Sequence, residues 1–423
     1  MSAATVPRAA IVAVGSELLT PWRLDTNSLY VTARLDELGI ALVWKMVVGD
    51  DRRAVAEALE VSLDRAPLVV TIGGLGPTDD DLTREAVADV LRLPLVEDAC
   101  VLEAIRRRFE MRGVRMPDVN RRQALVPRGA VVLPNAHGTA PGLWIPREGG
   151  GVLLLPGPPA ELQPMLDEWC REHGDRHAGP LRAVRRVLRI TGRTESQVEE
   201  ATQPIYAGWR DRTPPIETTI LASPGQIELH LTARGVAEEE ARRALDEAAR
   251  ALARVLGDDL FSDDGRALEE VVGGLLRERR LTIAVVESCT GGLLLSRLTD
   301  VPGSSDYVQA GLVCYSNAAK TALAGVPEDL IRAHGAVSEA VALAMAEGAR
   351  ARGPADVGVG VTGIAGPGGG TPGKPVGTVA IAVVGPRGGV RRQTYRFAGG
   401  RAQVKLQATQ AALDQVRRLL LAS

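Results

Sequence analysis

The chain has 423 residues, 45% of them hydrophobic and 24% charged, with a formal net charge of −2. That length exceeds the roughly 250 to 300 residues at which one core stops growing, so two or three domains are expected. The near-neutral charge and an aromatic content of 3% leave neither the basic stripe nor the stacking surface of a nucleic-acid binder, and no apolar run reaches the ~20 residues of a membrane span. Neither nucleic acid nor membrane is therefore an expected partner.

The opening stretch MSAATVPRAAIVAVG has no basic head before a long apolar segment, and its apolar part reads as a strand rather than a leader. Cys100, Cys170, Cys289 and Cys314 are scattered without C-x-x-C spacing, so neither a disulfide framework nor a structural zinc site is indicated. Cytoplasm is the expected location. Of the 50 basic residues only four, Lys45, Lys320, Lys374 and Lys405, are lysine. Where a solvated charge is enough this chain uses arginine, so each lysine raises the question of a removable proton.

From Ala9 to about Ala178 apolar runs (AIVAVG, ALVWKMVVG, LVVTIGG, GVLLLPG) alternate with helical spacing in TNSLYVTARLDELG and DLTREAVADVLRL. That alternation predicts βαβ units and a parallel sheet. VVTIGGLGPTDDDLTREAV places a glycine-rich turn between strand and helix, with Asp79, Asp80 and Asp81 at the helix entrance. Two readings stay open: backbone amides cradling a phosphate beside carboxylates that hold a hard cation, or one capping aspartate with solvated neighbours.

REHGDRHAGP at 171–180 is polar and Gly/Pro-bearing and reads as a linker. A smaller unit follows with a strand in AVRRVLRITG, a helix after Thr194, the alternating strand QIELHLTARG and a helix from Glu238 to Leu256. Ile227, Leu229 and Leu231 alternate with Glu228, His230 and Thr232, the pattern of a sheet with one wet face, so an α+β module is expected. GDDLFSDDGR reads as a second turn-rich joint before a third, α/β unit.

In that unit the buried run of AVVESCTGGLLLSRL stops at Glu287-Ser288-Cys289-Thr290-Gly291-Gly292 and starts a helix. Unpaired amides at such a helix start suit a developing oxyanion; equally, Ser288 or Thr290 could be a simple cap and the glycines a packing device. A serine nucleophile needs a base. His334 is the one histidine of this unit and reads as structural, so Ser-His-Asp has little material. Lys320, just past a buried strand in GLVCYSNAAKTALAGV, is the alternative, provided burial leaves it a free amine. Cys289 is the rival nucleophile. GVGVTG at 358–363 and GGGTPGKP at 368–375 match nucleotide motifs only superficially, since the first is not followed by a helix and the second has Pro375 where Ser or Thr should stand.

Taken in order, ESCTGG at 287–292, PGSS at 302–305, Tyr315-Ser316-Asn317 with Lys320, HGAVSE at 334–339, TGIAGP at 362–367 and KPVGT at 374–378 resemble the C-terminal domain of CinA proteins. GSELL at 15–19, DTNS at 25–28, NRRQA at 120–124, NAHGTAPG at 135–142 and LLPGPPAE at 154–161 resemble the N-terminal, molybdopterin-binding-like domain of the same family. The resemblance implies an α/β molybdopterin-binding-like domain over 1–175, a small α+β module over 181–257 and an α/β CinA-type domain over 262–423. It further implies hydrolysis of the carboxamide of nicotinamide mononucleotide by the C-terminal domain without a metal. Ser288 would be the nucleophile, Lys320 its base, and Tyr315, Thr362 and Arg401 would orient or stabilise the reacting group. Thr290, Gly291, Gly292, Asn317, Gly363 and Gly366 would contact the substrate, and the helix-start amides would hold the oxyanion. For the N-terminal domain it implies hydrolysis of ADP-ribose to AMP and ribose 5-phosphate. There Asp80 and Asp81 would hold a divalent metal, and Gly73, Gly74, Gly76, Thr78, Thr83 and Asn27 would contact substrate. A homodimer is also implied. The competing expectation is a pterin- or nucleotide-binding scaffold or sensor tied to competence or DNA damage.

Overall fold

The computed structural model describes residues 7–178, 183–234 and 237–422. Met1 to Val6 of the opening segment, the end of the expected linker and the start of the expected middle module at Leu181 lie outside them. The chain divides into two compact units, residues 1–183 with 234–240 and residues 184–233 with 241–423.

The first unit is built on a six-stranded sheet of β1 (Arg8–Val14), β2 (Ala41–Val48), β3 (Leu68–Ile72), β4 (Val131–Leu133), β5 (Gly142–Arg147) and β6 (Gly150–Leu155), in the order β2-β1-β3-β6-β5-β4. The four strands from β2 to β6 in that order run parallel, whereas β5 is antiparallel to both its neighbours. The parallel sheet expected from the sequence is thus a mixed one, because the short stretch between Leu143 and Leu154 turns back as a hairpin. Both faces are covered, which is why these strands read as continuous apolar runs. Ile11 and Val70 point toward α1 (Asn27–Glu37) and α5 (Pro159–His177), packing with Leu35, Leu166 and Trp169. Val12 and Val69 face the opposite way, toward α2 (Arg52–Arg65), α3 (Thr83–Val90) and α4 (Ala99–Glu110). Helix α5 runs on to His177, so residues 171–177 are helical rather than linker.

The second unit opens with a four-stranded antiparallel sheet of β7 (Val184–Ile190), β8 (Ile216–Ser223), β9 (Gln226–Ala233) and β10 (Leu260–Ser262), ordered β8-β9-β7-β10. Along β9 burial alternates as the sequence requires, with Ile227, Leu229, Leu231 and Ala233 inside. Thr194 begins α6 (Glu195–Tyr206) through a capping box with Gln197, and α7 (Glu238–Leu256) buries the stripe Ala241, Leu245, Ala248, Leu252 and Leu256. The expected joint at 257–266 contains β10, an edge strand, and Phe261 from it packs into the core that follows.

That core belongs to a five-stranded sheet of β11 (Ile283–Glu287), β12 (Val308–Val313), β13 (Val357–Gly363), β14 (Thr378–Val384) and β15 (Val390–Arg396), ordered β12-β11-β13-β14-β15. β11 is parallel to β12 and β13, and the remaining pairs are antiparallel. One face carries α8 (Leu268–Glu278), α9 (Leu293–Thr299) and the long α13 (Arg401–Ala422) against Val285, Val359 and Ile381. The other carries α10 (Asn317–Ala324), α11 (Glu328–His334) and α12 (Glu339–Arg352) against Ala284, Val286 and Ala382.

Candidate active site

Ser288 follows the last residue of β11, a strand buried along its whole length between two parallel neighbours. The Ser288 amide donates to the Val361 carbonyl at 2.9 Å, which fixes it at the end of the sheet. The chain then turns through Gly291 (φ 64°) and Gly292 (φ 93°) into α9. Two consecutive left-handed residues are what the glycine pair supplies, since a Cβ costs roughly 1–2 kcal/mol in that region.

Lys320 reaches the same point from the neighbouring strand. Glu287 pairs with Val313 across β11 and β12, and the Cys314 amide donates to the Glu287 carbonyl at 2.7 Å, so residues 314–316 lie beside Ser288. Ser316 caps α10 by accepting from the Ala319 amide at 3.0 Å. Helical side chains lean toward the N-terminus, and Lys320, one turn in, therefore lies back over the residues before the cap. Its Nζ stands 3.0 Å from Ser288 Oγ, 3.1 Å from the Cys314 carbonyl and 3.4 Å from that of Tyr315. Lys320 is 2% exposed and Ser288 6%. Burial pulls the ammonium below its ordinary value, with the Cys314 and Cys289 thiols acting weakly the other way. A neutral amine has two N–H bonds and one lone pair, which the two carbonyls and the serine hydroxyl can satisfy. The arrangement can thus abstract a proton from Ser288.

Glu287, 1% exposed, accepts from the amides of Gly292 (3.1 Å), Leu294 (3.1 Å) and Leu295 (2.8 Å). These bonds to the positive end of α9 offset the desolvation of a buried carboxylate. They also correct the expectation that the helix-start amides hold an oxyanion, because those three are already engaged. The Gly291 amide donates to the Ser288 carbonyl at 3.1 Å, and Thr290 has no exposed surface. Among the described residues of this turn the amides of Cys289 and Thr290 are the donors that remain, and that of Cys289 adjoins Ser288.

The other predicted residues divide by position. Arg401, the first residue of α13, donates through Nη2 to the Tyr315 hydroxyl at 2.6 Å and through Nη1 to the Gly366 carbonyl at 2.8 Å. Tyr315 is 60% exposed, so the pair sits at the surface above the buried Ser288–Lys320 contact. Thr362 lies on β13 one residue beyond the carbonyl that holds the Ser288 amide, and its own hydroxyl donates to the Ala336 carbonyl at 2.9 Å. Asn317 is exposed at the start of α10. Gly363 leaves room for the Cys289 sulfur, which a Cβ there would approach to 3.0 Å. Burial pushes the Cys289 thiol up to about 11, which argues against it as the thiolate nucleophile. The Cys314 and Tyr315 carbonyls were not readable beforehand as lysine acceptors, since any residue type supplies them.

In the first unit the carboxyl ends of β1, β3 and β6 open into a cavity of about 390 Å³ lined by Gly15, Gly73, Gly74, Gly76, Thr78 and Asp80, among others. Ligand crevices sit at this end of parallel sheets. Asp81 accepts from the Thr78 amide at 2.9 Å and from its hydroxyl, closing the loop on itself. Thr83 is fully buried, and its hydroxyl donates to the Gly73 carbonyl at 2.9 Å. It braces the glycine turn from beneath, where a substrate does not reach. Asn27 donates to the Gly157 carbonyl at 2.6 Å beside a neighbouring cavity of about 300 Å³. Glu17, Asp50 and Glu161 also border the 390 Å³ cavity. Of these, Glu17 and Glu161 lie within stretches whose resemblance is visible in sequence, whereas nothing marked Asp50.

A mixed α/β domain with a glycine loop at its strand ends, a small antiparallel α+β module and a second α/β domain with a buried Ser–Lys pair define a distinctive class of multidomain chain. Profile matches follow the same division: "Probable molybdopterin binding domain" at residues 10–173, "Damage-inducible protein CinA KH domain" at 185–262 and "CinA C-terminal domain" at 265–420. A "CinA-like protein" of Koribacter versatilis is 48% identical over 420 residues, covering 98% of this chain and 100% of its own. A "Putative competence-damage inducible protein" of Caldicellulosiruptor bescii is 42% identical over 98% of this chain and 99% of its own. Among solved structures, the competence/damage inducible protein CihA from Agrobacterium tumefaciens is 40% identical over 36% of this chain and 93% of that one, with a TM-score of 0.36. The chain belongs to the CinA family. Its KH-type module carries no G-x-x-G between residues 184 and 262, the loop with which KH modules clamp a nucleic-acid backbone. No helix among the described residues is long and apolar enough to cross a membrane.

Proposed function

We propose that the C-terminal domain hydrolyses the carboxamide of nicotinamide mononucleotide to the carboxylate, releasing ammonia. One observation carries the reading: a buried lysine, without an ion-pair partner among the described residues, 3.0 Å from a serine hydroxyl at a sheet end. Lys320 takes the Ser288 proton as Oγ attacks the carboxamide carbon, and returns it to the departing nitrogen as the C–N bond breaks. The same amine then draws a proton from water, which attacks the acyl carbon and frees Ser288. The Cys289 amide would face the developing oxyanion, and Arg401 with Tyr315 would steady the substrate at the mouth.

Ammonia release from nicotinamide mononucleotide by the whole chain tests this. Ser288→Ala and Lys320→Arg should each lower kcat by about 10³-fold or more, with folding preserved. No ammonia from the intact chain would instead favour a nucleotide-binding scaffold or sensor.

For the N-terminal domain we propose metal-dependent hydrolysis of ADP-ribose to AMP and ribose 5-phosphate. Among the described residues no three of His, Cys, Asp and Glu stand together as a metal site. Asp80 and Asp81 on a phosphate-sized loop fit a magnesium-like ion held jointly with substrate phosphates, the usual mode for that ion. Such an ion would neutralise charge at the scissile pyrophosphate. The glycine turn, braced by Thr83, would present backbone amides to the phosphates. ADP-ribose turnover that needs added magnesium or manganese, and falls on Asp80→Asn, is the expected result.

A further inference from the structure

The second unit contains a larger cavity, about 890 Å³, lined by none of the residues of the Ser288 arrangement. One wall is α13, whose Gln403, Gln407, Gln410, Asp414 and Arg418 recur at three- and four-residue steps and so share a face. A second wall is the edge strand β15 with the residues after it, and a third comes from residues 191–194 and 223–227 of the KH-type module. Two modules packed simply for stability would meet through apolar side chains. Here they present amides and guanidiniums across an open space of the size that small-molecule sites occupy.

The polar groups of the walls indicate what fits. Three arginines, Arg193, Arg391 and Arg418, face two aspartates, Asp259 and Asp414, and a fourth, Arg396, borders the cavity at its rim. Arg193 and Arg418 are committed to Asp259 at 2.6 and 2.7 Å, and Arg418 also to Asp414 at 2.6 Å. Of the remaining two, Arg391 shares the α13-facing side of β15 with Gln393 and Tyr395, whereas Arg396, five residues on, lies on the opposite side. Arg391 has no ion-pair partner among the described residues, which leaves one positive charge for an anion. Gln415, 4% exposed, spends one amide atom on the Tyr395 hydroxyl at 3.0 Å, while the other is buried with no partner. A buried orphan polar atom is costly in a finished core. Tyr395 and Phe397 stack with centroids 5.3 Å apart and planes 9° from parallel, giving one wall a flat aromatic surface.

We infer that this cavity is a nucleotide-binding site, separate from both sites described above. Its unpaired Arg391 meets the phosphate, and the glutamine amides meet the hydrogen-bonding edge of the base. Inorganic phosphate shares the first chemistry but not the second.

Hydrogen–deuterium exchange on the full chain, with AMP and separately with inorganic phosphate at millimolar concentration, tests the inference. The variant is Arg391→Gln; the side chain is exposed and the change leaves no buried group unpaired. AMP is expected to slow exchange in residues 191–197 and 396–400 of the unaltered protein and to lose that effect in the variant, whose melting temperature stays unchanged. Phosphate should protect these segments less than AMP. The inference is overturned if AMP leaves both segments at their free rates, if the variant is protected equally, or if phosphate protects as strongly as AMP.

Discussion

Lys320 and Cys289 lie within one turn of Ser288 in space, and burial acts on them in opposite directions. It disfavours the charged form of each, so it lowers the ammonium below its ordinary 10.5 and raises the thiol to about 11. The reactive form of lysine is therefore enriched at neutral pH while the reactive form of cysteine is suppressed. Amidase kcat/KM should rise with pH as Lys320 loses its proton and level off at a midpoint below 10.5. A midpoint near 11, or loss of activity in Cys289→Ala, would transfer the nucleophile to the thiol. The lysine was conspicuous in the sequence because arginine replaces lysine nearly everywhere else. Its distance from Ser288 was not, because 32 residues and a strand crossover separate them.

Helix α9 has only seven residues, too few to be stable by itself. Its start is held by Glu287, the last residue of the preceding strand, through three amides. Glu287→Ala would leave these donors unpaired in a largely buried turn, a loss of about 2–4 kcal/mol, read as a lower urea midpoint with unchanged slope. Glu287→Gln, which keeps one acceptor oxygen, should lose less. The turn and the helix were legible from Glu-Ser-Cys-Thr-Gly-Gly because strand, glycines and amphipathic spacing are local signals. That the amides belong to Glu287 was not legible, since acceptor and oxyanion compete for the same donors and only side-chain direction decides between them.

At the scale of the molecule, the segment 257–266 shows where a linker reading fails. Its Asp and Gly residues are those of a turn, yet Leu260–Ser262 adds an edge strand to the middle sheet. Phe261, 6% exposed, packs with Leu268, Val272 and Leu276 in the core of the C-terminal domain. Arg417, 3% exposed, donates to the Asp258 carbonyl. A fragment of residues 262–423 cuts away both contacts. Its melting temperature should fall about 10 °C below that of residues 184–423, and equal melting temperatures would show that the module adds nothing to the core beyond it.

The alternation of strand and helix in the two α/β domains, the wet face of β9 and the glycine turns were legible in the sequence alone, and Ser288 and Lys320 stood out there as candidates, because periodicity, capping and left-handed turns depend on near neighbours. Tertiary structure decided the rest: which strands lie side by side, and hence that positions 288 and 320 meet; which amides stay unpaired; that Thr83 braces a turn; and that α13 and the KH-type module enclose a polar cavity. Those are properties of sheet order and of packing between distant segments, which local patterns do not encode.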